Sequence, residues 1–235
     1  MALLLAAALQ SPLPATAAPD LTEAARTIVE RTNQLRATTG AAPTARNPRL
    51  DAAAREFAEF MAGSGRYSHD ADGRDPAQRA RAQHYDFCLI AENIAYRYSS
   101  AGFETDELAR GFFDGWAASP GHRRNMLDTD AAETGVAMAQ SASSGHYYAV
   151  QMFGRPQALQ IRFEIGNRSP RAVGYEFGGT TYTLPPNATR THETCRVGPL
   201  QLHLPGETNA TTLRPAGGAS YRVEQDGSRY RVSGG

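Results

Sequence analysis

Residues 104–127, ETDELARGFFDGWAASPGHRRNML, hold the clearest helical pattern of the chain and the break that ends it. Apolar side chains recur on one face of an amphipathic helix in this segment: Leu108, Phe112, Phe113 and Trp116. Ser119-Pro120 ends the helix, because proline cannot continue it, and His122 follows at once. The segment predicts a packed helix. It does not decide whether His122 is functional or only caps the helix end.

The sequence on both sides of this segment predicts more helices and a small sheet. Residues 20–39, 47–63 and 75–83 carry helical patterns, with a glycine closing each of the first two. Residues 87–98, FCLIAENIAYRY, are interpreted as a strand or a strand and turn. Residues 133–140 and 146–153 alternate like a pair of antiparallel strands. The expected fold class is therefore α+β, with helices flanking a small antiparallel sheet.

The composition changes after Arg155-Pro156. Short β-like runs follow, separated by Gly, Pro, Asn and Ser, which predicts a small β-sandwich or barrel. Asp226-Gly227 is a favoured two-residue turn and predicts a hairpin between the last two runs. With a boundary near residues 154–158, we expect one domain at residues 20–155 and a β-rich accessory domain at residues 157–235.

The N-terminus predicts export. Residues 1–18 contain a short apolar run, two prolines and an Ala-Thr-Ala sequence suited to cleavage, as in a secretory signal peptide, although a basic first segment is absent. The apolar run is too short for a membrane-spanning helix, which needs about 20 apolar residues. We expect a mature chain without a transmembrane segment, secreted to the extracellular space or the periplasm.

The charge and cysteine content bear on the partners of the chain and on its disulfide bonding. The chain has 24 basic and 24 acidic residues and no long run of one sign, which argues against nucleic acid as a partner. Its two cysteines, Cys88 and Cys195, are far apart in sequence. An oxidising compartment would permit a bridge between them, but we slightly favour two separate thiols.

Three polar residues interrupt apolar or turn-rich surroundings: His69, Glu92 and His122. Glu92 lies among aliphatic residues and would be costly to bury unpaired, so it needs a partner, and the two imidazoles are plausible ones. A His/Glu/His cluster could hold a divalent metal, with the carboxylate as a ligand or orienting a histidine, or act as an acid and base. Taken singly, each residue could equally be structural.

Five segments, in order, resemble the CAP superfamily (cysteine-rich secretory, antigen 5 and PR-1 proteins) in its bacterial secreted, SCP-like form. They are YSHDADGRDPAQRA, AENIA, FFDGWAASPGHRRNML, ETGVAMA and YYAVQMFG, and the resemblance runs from about Thr22 to Gly154. It implies an α-β-α sandwich with a central cleft in which His69, Glu92 and His122 face one another and can bind a divalent ion such as zinc. The fuller family pattern has a second glutamate shortly after the tryptophan. Here Ala117-Ala118-Ser119 follows Trp116, so metal affinity should be weak.

Two functions follow as hypotheses. The first is a secreted binding module for a lipid, a peptide or an envelope component, with the β-rich tail serving adhesion or orientation. The second is a metal-assisted hydrolase in which His69 and His122 hold the metal and Glu92 activates water. No activated nucleophile is visible in the sequence, and whether the protein is an enzyme stays open.

Overall fold

The computed structural model of the chain describes residues 18–235. The signal peptide predicted at residues 1–18 therefore lies outside the described residues, apart from Ala18. Within the described part, no helix combines the length and apolar character that crossing a bilayer requires.

The described residues form five α-helices and twelve β-strands. The helices are α1 (Leu21–Thr38), α2 (Pro48–Ser64), α3 (Pro76–Ala82), α4 (Thr105–Ala118) and α5 (Pro120–Leu127). The first four strands are β1 (Ala45–Arg46), β2 (Phe87–Arg97), β3 (Glu133–Gln140) and β4 (Tyr147–Pro156). The other strands are β5 (Ile161–Asn167), β6 (Val173–Phe177), β7 (Thr180–Leu184), β8 (Thr189–Thr194), β9 (Leu200–His203), β10 (Thr211–Leu213), β11 (Ser220–Asp226) and β12 (Arg229–Ser233).

The N-terminal part is a three-layer α-β-α sandwich around a four-stranded sheet of order β1-β3-β4-β2. Successive residues of β4 point to opposite faces. Ala149 and Phe153 pack with α1, α4 and α5, whereas Val150 and Met152 pack with α2 and α3. Both faces of the sheet are thus buried under helices. This confirms the α-β-α sandwich that the family resemblance implied.

Polar side chains fix where three of the helices begin. The Asp20 carboxylate accepts the backbone N–H groups of the first turn of α1, and the Asn47 side chain accepts one from the first turn of α2. Asp75 and Gln78 form a reciprocal capping box at the start of α3. These caps account for the starts that the sequence predicted.

Helix α2 lies unusually close to β3. A Cβ atom on Gly135 would lie 2.3 Å from the backbone of Leu50 and Asp51, so only glycine fits at this position. The Asp51 carboxylate accepts the backbone N–H of Val136 at 2.9 Å. The glycine and the hydrogen bond together lock this helix onto the sheet that carries the site.

One local prediction is confirmed and extended, and another needs correction. The Ser119-Pro120 break ends α4 as predicted, and the residues after it form a second helix, α5, because Pro120 occupies its first position, where a missing N–H is harmless. In the last hairpin Asp226 pairs with Arg229, so the turn consists of Gly227 and Ser228 rather than Asp226-Gly227. Gly227 has a φ of 60°, a conformation that suits glycine.

The C-terminal part is all-β and sandwich-like. Two four-stranded sheets, of order β10-β9-β6-β7 and β12-β11-β5-β8, share one apolar core that includes Phe163, Tyr175 and Leu202. All strand pairs in these sheets are antiparallel except β5 with β11. Strand β4 ends at Pro156, within the boundary region expected at residues 154–158, and β5 begins at Ile161.

A disulfide joins the two parts of the chain. Cys88 at the start of β2 is bonded to Cys195, just after β8, across 107 residues of sequence, so the slight preference for separate thiols was wrong. Next to the bridge, Arg196 pairs with Asp128 at 2.9 Å, and the Val197 N–H donates to Asp130. The first sheet and the tail are therefore linked both covalently and by polar contacts.

Candidate functional site

The candidate site lies along β2, which forms one edge of the first sheet. The carbonyl of Ile94 on this strand accepts hydrogen bonds from the Trp116 indole at 3.1 Å and the Tyr67 hydroxyl at 3.2 Å. Trp116 belongs to α4, and Tyr67 lies in the loop between α2 and α3. The two helical layers therefore meet at this edge, and residues from both reach the same strand.

Glu92 is in the middle of β2, with only 1% of its side chain exposed. Its main partner is the fully buried Arg79 of α3, whose Nη2 lies 3.0 Å from Oε1 and 2.9 Å from Oε2. The Nδ1 of His69 lies 2.8 Å from Oε1. Both carboxylate oxygens are thus engaged, as a buried negative charge requires.

Arg79 is held from several sides. Besides Glu92, it donates to Asp72 Oδ1 at 2.8 Å and to the carbonyl oxygen of His69 at 2.7 Å, and its guanidinium lies 3.6 Å from the centre of the Phe57 ring. Burial pushes the pKa of Asp72 up, but the N–H of Arg74 and the charges of Arg79 and Arg74 outweigh burial and lower that pKa. The guanidinium therefore lies between the carboxylates of Asp72 and Glu92.

His69 lies in the loop before α3 with 53% of its side chain exposed. A carboxylate can only accept a hydrogen bond, so the imidazole donates from Nδ1 to Glu92. Its Nε2 has no hydrogen-bond partner among residues 18–235 and is the nitrogen left for a ligand. Glu92 thus fixes both the tautomer and the direction of this ring.

His122 reaches the site from α5, on the other helical layer. Its backbone carbonyl accepts the Asn93 side-chain amide at 3.2 Å, and Asn125 donates to both Asn93 and the carbonyl of Glu92. Burial lowers the pKa of His122, and the charge of His69 lowers it further. The structure brings His69 into contact with Glu92 and places His122 near His69, but it gives no direct contact between His122 and Glu92.

A groove of about 270 Å³ opens beside His122. Its lining includes Tyr67, Ile94, Tyr96, Trp116, Ser119 and His122. Tyr67 and Tyr96 meet edge to face with ring centres 4.9 Å apart and are 43% and 52% exposed. We call this the imidazole groove.

The donor set does not fit a three-ligand metal centre. In the part of the chain that the structure describes, no group of three or more His, Cys, Asp or Glu side chains is arranged to hold an ion. Both oxygens of Glu92 already face Arg79, whose positive charge would repel a cation placed beside them. The free Nε2 of His69 and the imidazole of His122 are the donors left for a cation.

Sequence reasoning missed Arg79. It required a partner for the buried Glu92 but assigned that role to imidazoles, whereas a guanidinium 13 residues earlier fills it. Arg79 lies within the YSHDADGRDPAQRA segment. Its residue type does not distinguish it from exposed arginines nearby in the sequence. The only indication in the sequence was that a buried carboxylate needs a positively charged partner.

A family model described as the cysteine-rich secretory protein family (CAP) matches residues 29–153, more than half of the 235-residue chain. An outer surface protein from Borrelia burgdorferi has 20% identity over 59% of this chain and 96% of its own, with a TM-score of 0.52. No curated protein matches the chain significantly.

Two further solved structures are similar over the same part. An extracellular protein containing an SCP domain from Bacillus anthracis str. Ames has 24% identity and a TM-score of 0.48, covering 57% of this chain and 41% of its own. A cysteine-rich secretory protein from Staphylococcus aureus has 20% identity and a TM-score of 0.43, with coverage of 57% and 39%. The chain thus spans less than half the length of these two proteins.

Proposed function

The chain belongs to the cysteine-rich secretory protein (CAP) family, and from this membership we propose that it is an exported binding module. It acts in the extracellular space or the periplasm, where its imidazole groove takes a lipid, a peptide or another component of the cell envelope. The C-terminal β-sandwich orients the module or adds adhesion.

The single observation that carries this proposal is the engagement of Glu92. A hydrolase working through Glu92 would need a carboxylate oxygen free to take a proton from water. Here Arg79 contacts both oxygens, His69 contacts one of them, and the side chain is buried. Glu92 is therefore suited to fixing the wall of a binding site rather than to moving protons, which supports binding over the alternative of a metal-assisted hydrolase.

The lining of the imidazole groove also supports binding. Tyr67 and Tyr96 present large rings to solvent, and His122 and Ser119 add polar atoms beside them. Aromatic rings with a polar tip favour ligands that have both an apolar surface and hydrogen-bonding groups. Lipids, peptides and envelope polymers all meet that description.

We propose in addition that a divalent cation such as zinc is held weakly by His69 and His122. Imidazole nitrogen is a preferred zinc donor, and Glu92 orients His69 in the way that carboxylates orient metal-binding histidines. When bound, the ion would supply positive charge at the groove for an anionic group of the ligand. Two protein donors hold an ion less firmly than the three or four of ordinary zinc sites.

The proposed function is tested by retention on defined probes. The purified chain is incubated with anionic phospholipid vesicles, a casein digest and soluble peptidoglycan fragments, and bound protein is measured for each. We expect retention on one probe class, loss of retention in Tyr96→Ala and His122→Ala, and normal retention in Leu159→Ala. Leu159 is the matched control because it is an exposed apolar residue outside the groove.

Catalysis is tested with the same probes. Release of new peptides from intact casein, or of fragments from peptidoglycan, would contradict the binding proposal if Glu92→Gln abolished it. No retention on any probe, or equal retention by wild type and the two groove variants, would also contradict it.

A further inference from the structure

A second pocket lies at the end of the first sheet where β2 and β3 begin and β4 ends. Phe87 pairs there with Pro156, and Glu133 pairs with Gly154. The pocket has a volume of about 530 Å³ and shares no lining residue with the imidazole groove. This volume lies within the range of roughly 300–1,000 Å³ that is typical of small-molecule sites.

Two basic and two acidic side chains line this pocket: Arg49, Arg81, Asp86 and Glu133. Within residues 18–235, none of them forms an ion pair with another charged side chain, although opposite charges on one surface usually attract. The pocket thus offers both signs of charge to a ligand, and neither is neutralised in the free protein.

The two basic side chains are exposed, but each makes a contact at the wall of the pocket. Arg49 donates to the carbonyl oxygen of His84 at 2.7 Å, which leaves its other N–H groups for a ligand. The Arg81 guanidinium lies 4.8 Å from the centre of the Phe87 ring, a cation–π contact. Phe87 stacks in turn on Tyr85, with ring centres 6.1 Å apart.

Glu133 is held in a similar way but keeps one oxygen free. Asn47 and the Tyr85 hydroxyl both donate to its Oε2, at 2.9 and 2.8 Å. Oε1 accepts no hydrogen bond from the described residues. Tyr85 is fixed because it lies directly over Gly154, where a Cβ atom would come within 2.5 Å of the hydroxyl. A carboxylate oxygen is thus positioned and available.

We propose that this pocket binds a small zwitterion, a free amino acid or a short peptide, through its ammonium and carboxylate groups together. Arg49 and Arg81 take the carboxylate, because a guanidinium matches it with two parallel hydrogen bonds. Asp86 and Glu133 accept from the ammonium, and the stacked rings of Tyr85 and Phe87 contact the apolar part. A ligand that carries only positive or only negative charge would pair with only half of these charged groups.

The test uses the full chain in titration calorimetry with a matched set of probes. These are trialanine, N-acetyl-trialanine without the ammonium, trialanine amide without the carboxylate, and free alanine. We expect each capped peptide to bind roughly twofold to fivefold more weakly than trialanine, as the loss of one exposed ion pair implies. Free alanine binding as well as trialanine would identify amino acids as the source, and weaker alanine binding would identify peptides.

Variants of the lining residues test whether trialanine binds in this pocket. Glu133→Gln keeps an oxygen for Asn47 and Tyr85 but removes the charge, and Arg81→Gln changes an exposed side chain, so both should fold normally. Each should weaken trialanine binding, whereas Arg124→Gln, an exposed arginine outside the pocket, should not. His122→Ala should leave this binding intact, which separates it from the proposed function. Equal binding of capped and uncapped peptides, no binding of any probe, or unchanged binding by Glu133→Gln would overturn the proposal.

Discussion

Arg79 and Glu92 form a buried ion pair in which one guanidinium nitrogen lies 3.0 Å and 2.9 Å from the two carboxylate oxygens. The pair joins α3 to β2 and fixes the ring of His69 through the same carboxylate. The charge of Glu92 is therefore balanced by the protein itself. The protein therefore does not need a cation at the imidazoles to balance the charge of Glu92.

We expect Arg79→Ala to lower the free energy of unfolding by about 3–5 kcal/mol, because it leaves Glu92 buried without its cation. Urea unfolding followed by circular dichroism measures the change. Arg124→Ala is the control and should stay within about 0.5 kcal/mol of wild type, since Arg124 is exposed. A small loss in Arg79→Ala would mean that water replaces the guanidinium and that the pair is not essential.

We expect zinc titration calorimetry to give weak binding that His69→Ala and His122→Ala both remove. Glu92→Gln should weaken it by roughly 10- to 100-fold, the effect of losing a carboxylate that orients a metal-binding histidine. His203→Ala, which removes an imidazole of the C-terminal sandwich, is the control. If wild type and the two alanine variants take up zinc equally, the ion binds elsewhere.

We expect reduction of the Cys88–Cys195 bridge to destabilise the protein and separate the unfolding of its two parts. The bridge closes a long loop, and chain entropy alone gives an upper figure of ~4.7 kcal/mol for a loop of about 100 residues. Calorimetric scans with and without a thiol reductant measure the effect. The chain has only these two cysteines, so the reductant acts on one bond. An unchanged single transition would show that the polar contacts around Arg196 suffice.

We expect the C-terminal sandwich to lose stability as the pH falls below His192's ordinary pKa of 6.5. Burial lowers the pKa of His192 in the folded state, and the charge of Arg190 lowers it further. The unfolded chain therefore takes up the proton first as the pH falls through 6.5, so stability is full above that value and decreases below it. Acid also disturbs the 2.8 Å hydrogen bond between Tyr175 and His192.

Thermal unfolding of wild type and His192→Gln at pH 7.5 and pH 5 measures this dependence. The variant should show a smaller difference between the two pH values than wild type. His203→Gln controls for an exposed imidazole of the same sandwich. An identical acid response in wild type and His192→Gln would place the titrating group elsewhere.

The sequence predicted helices flanking a small antiparallel sheet because these elements carry clear periodicity, and Asp75 caps α3 at its expected start. The three-layer arrangement itself came from the family resemblance. The sequence also identified Glu92 as a carboxylate in need of a partner. It could not identify Arg79, because a buried arginine has the same residue type as the exposed arginines around it. Only the packing of α3 against β2 distinguishes them.

The pairing of Cys88 with Cys195 was beyond sequence reasoning for a different reason. The two residues are 107 positions apart in sequence. Cys195 follows a strand of the C-terminal sandwich but packs against the core of the first sheet, so the pairing depends on how the sandwich docks beside that sheet. Pro120 follows the end of α4 and is the first residue of α5, and the sequence pattern predicted only the end of α4.

The hydrogen bonds from Trp116 and Tyr67 to Ile94 also cover part of the outer edge of β2. A strand at the edge of a sheet exposes backbone groups to which a strand from another molecule can add, and this is a common route to aggregation. Here carbonyl oxygens of β2 accept hydrogen bonds from the side chains of Trp116, Tyr67 and Asn125. The opposite edge of the sheet is the two-residue strand β1. The first sheet is thereby protected at both edges against pairing with a strand of another copy.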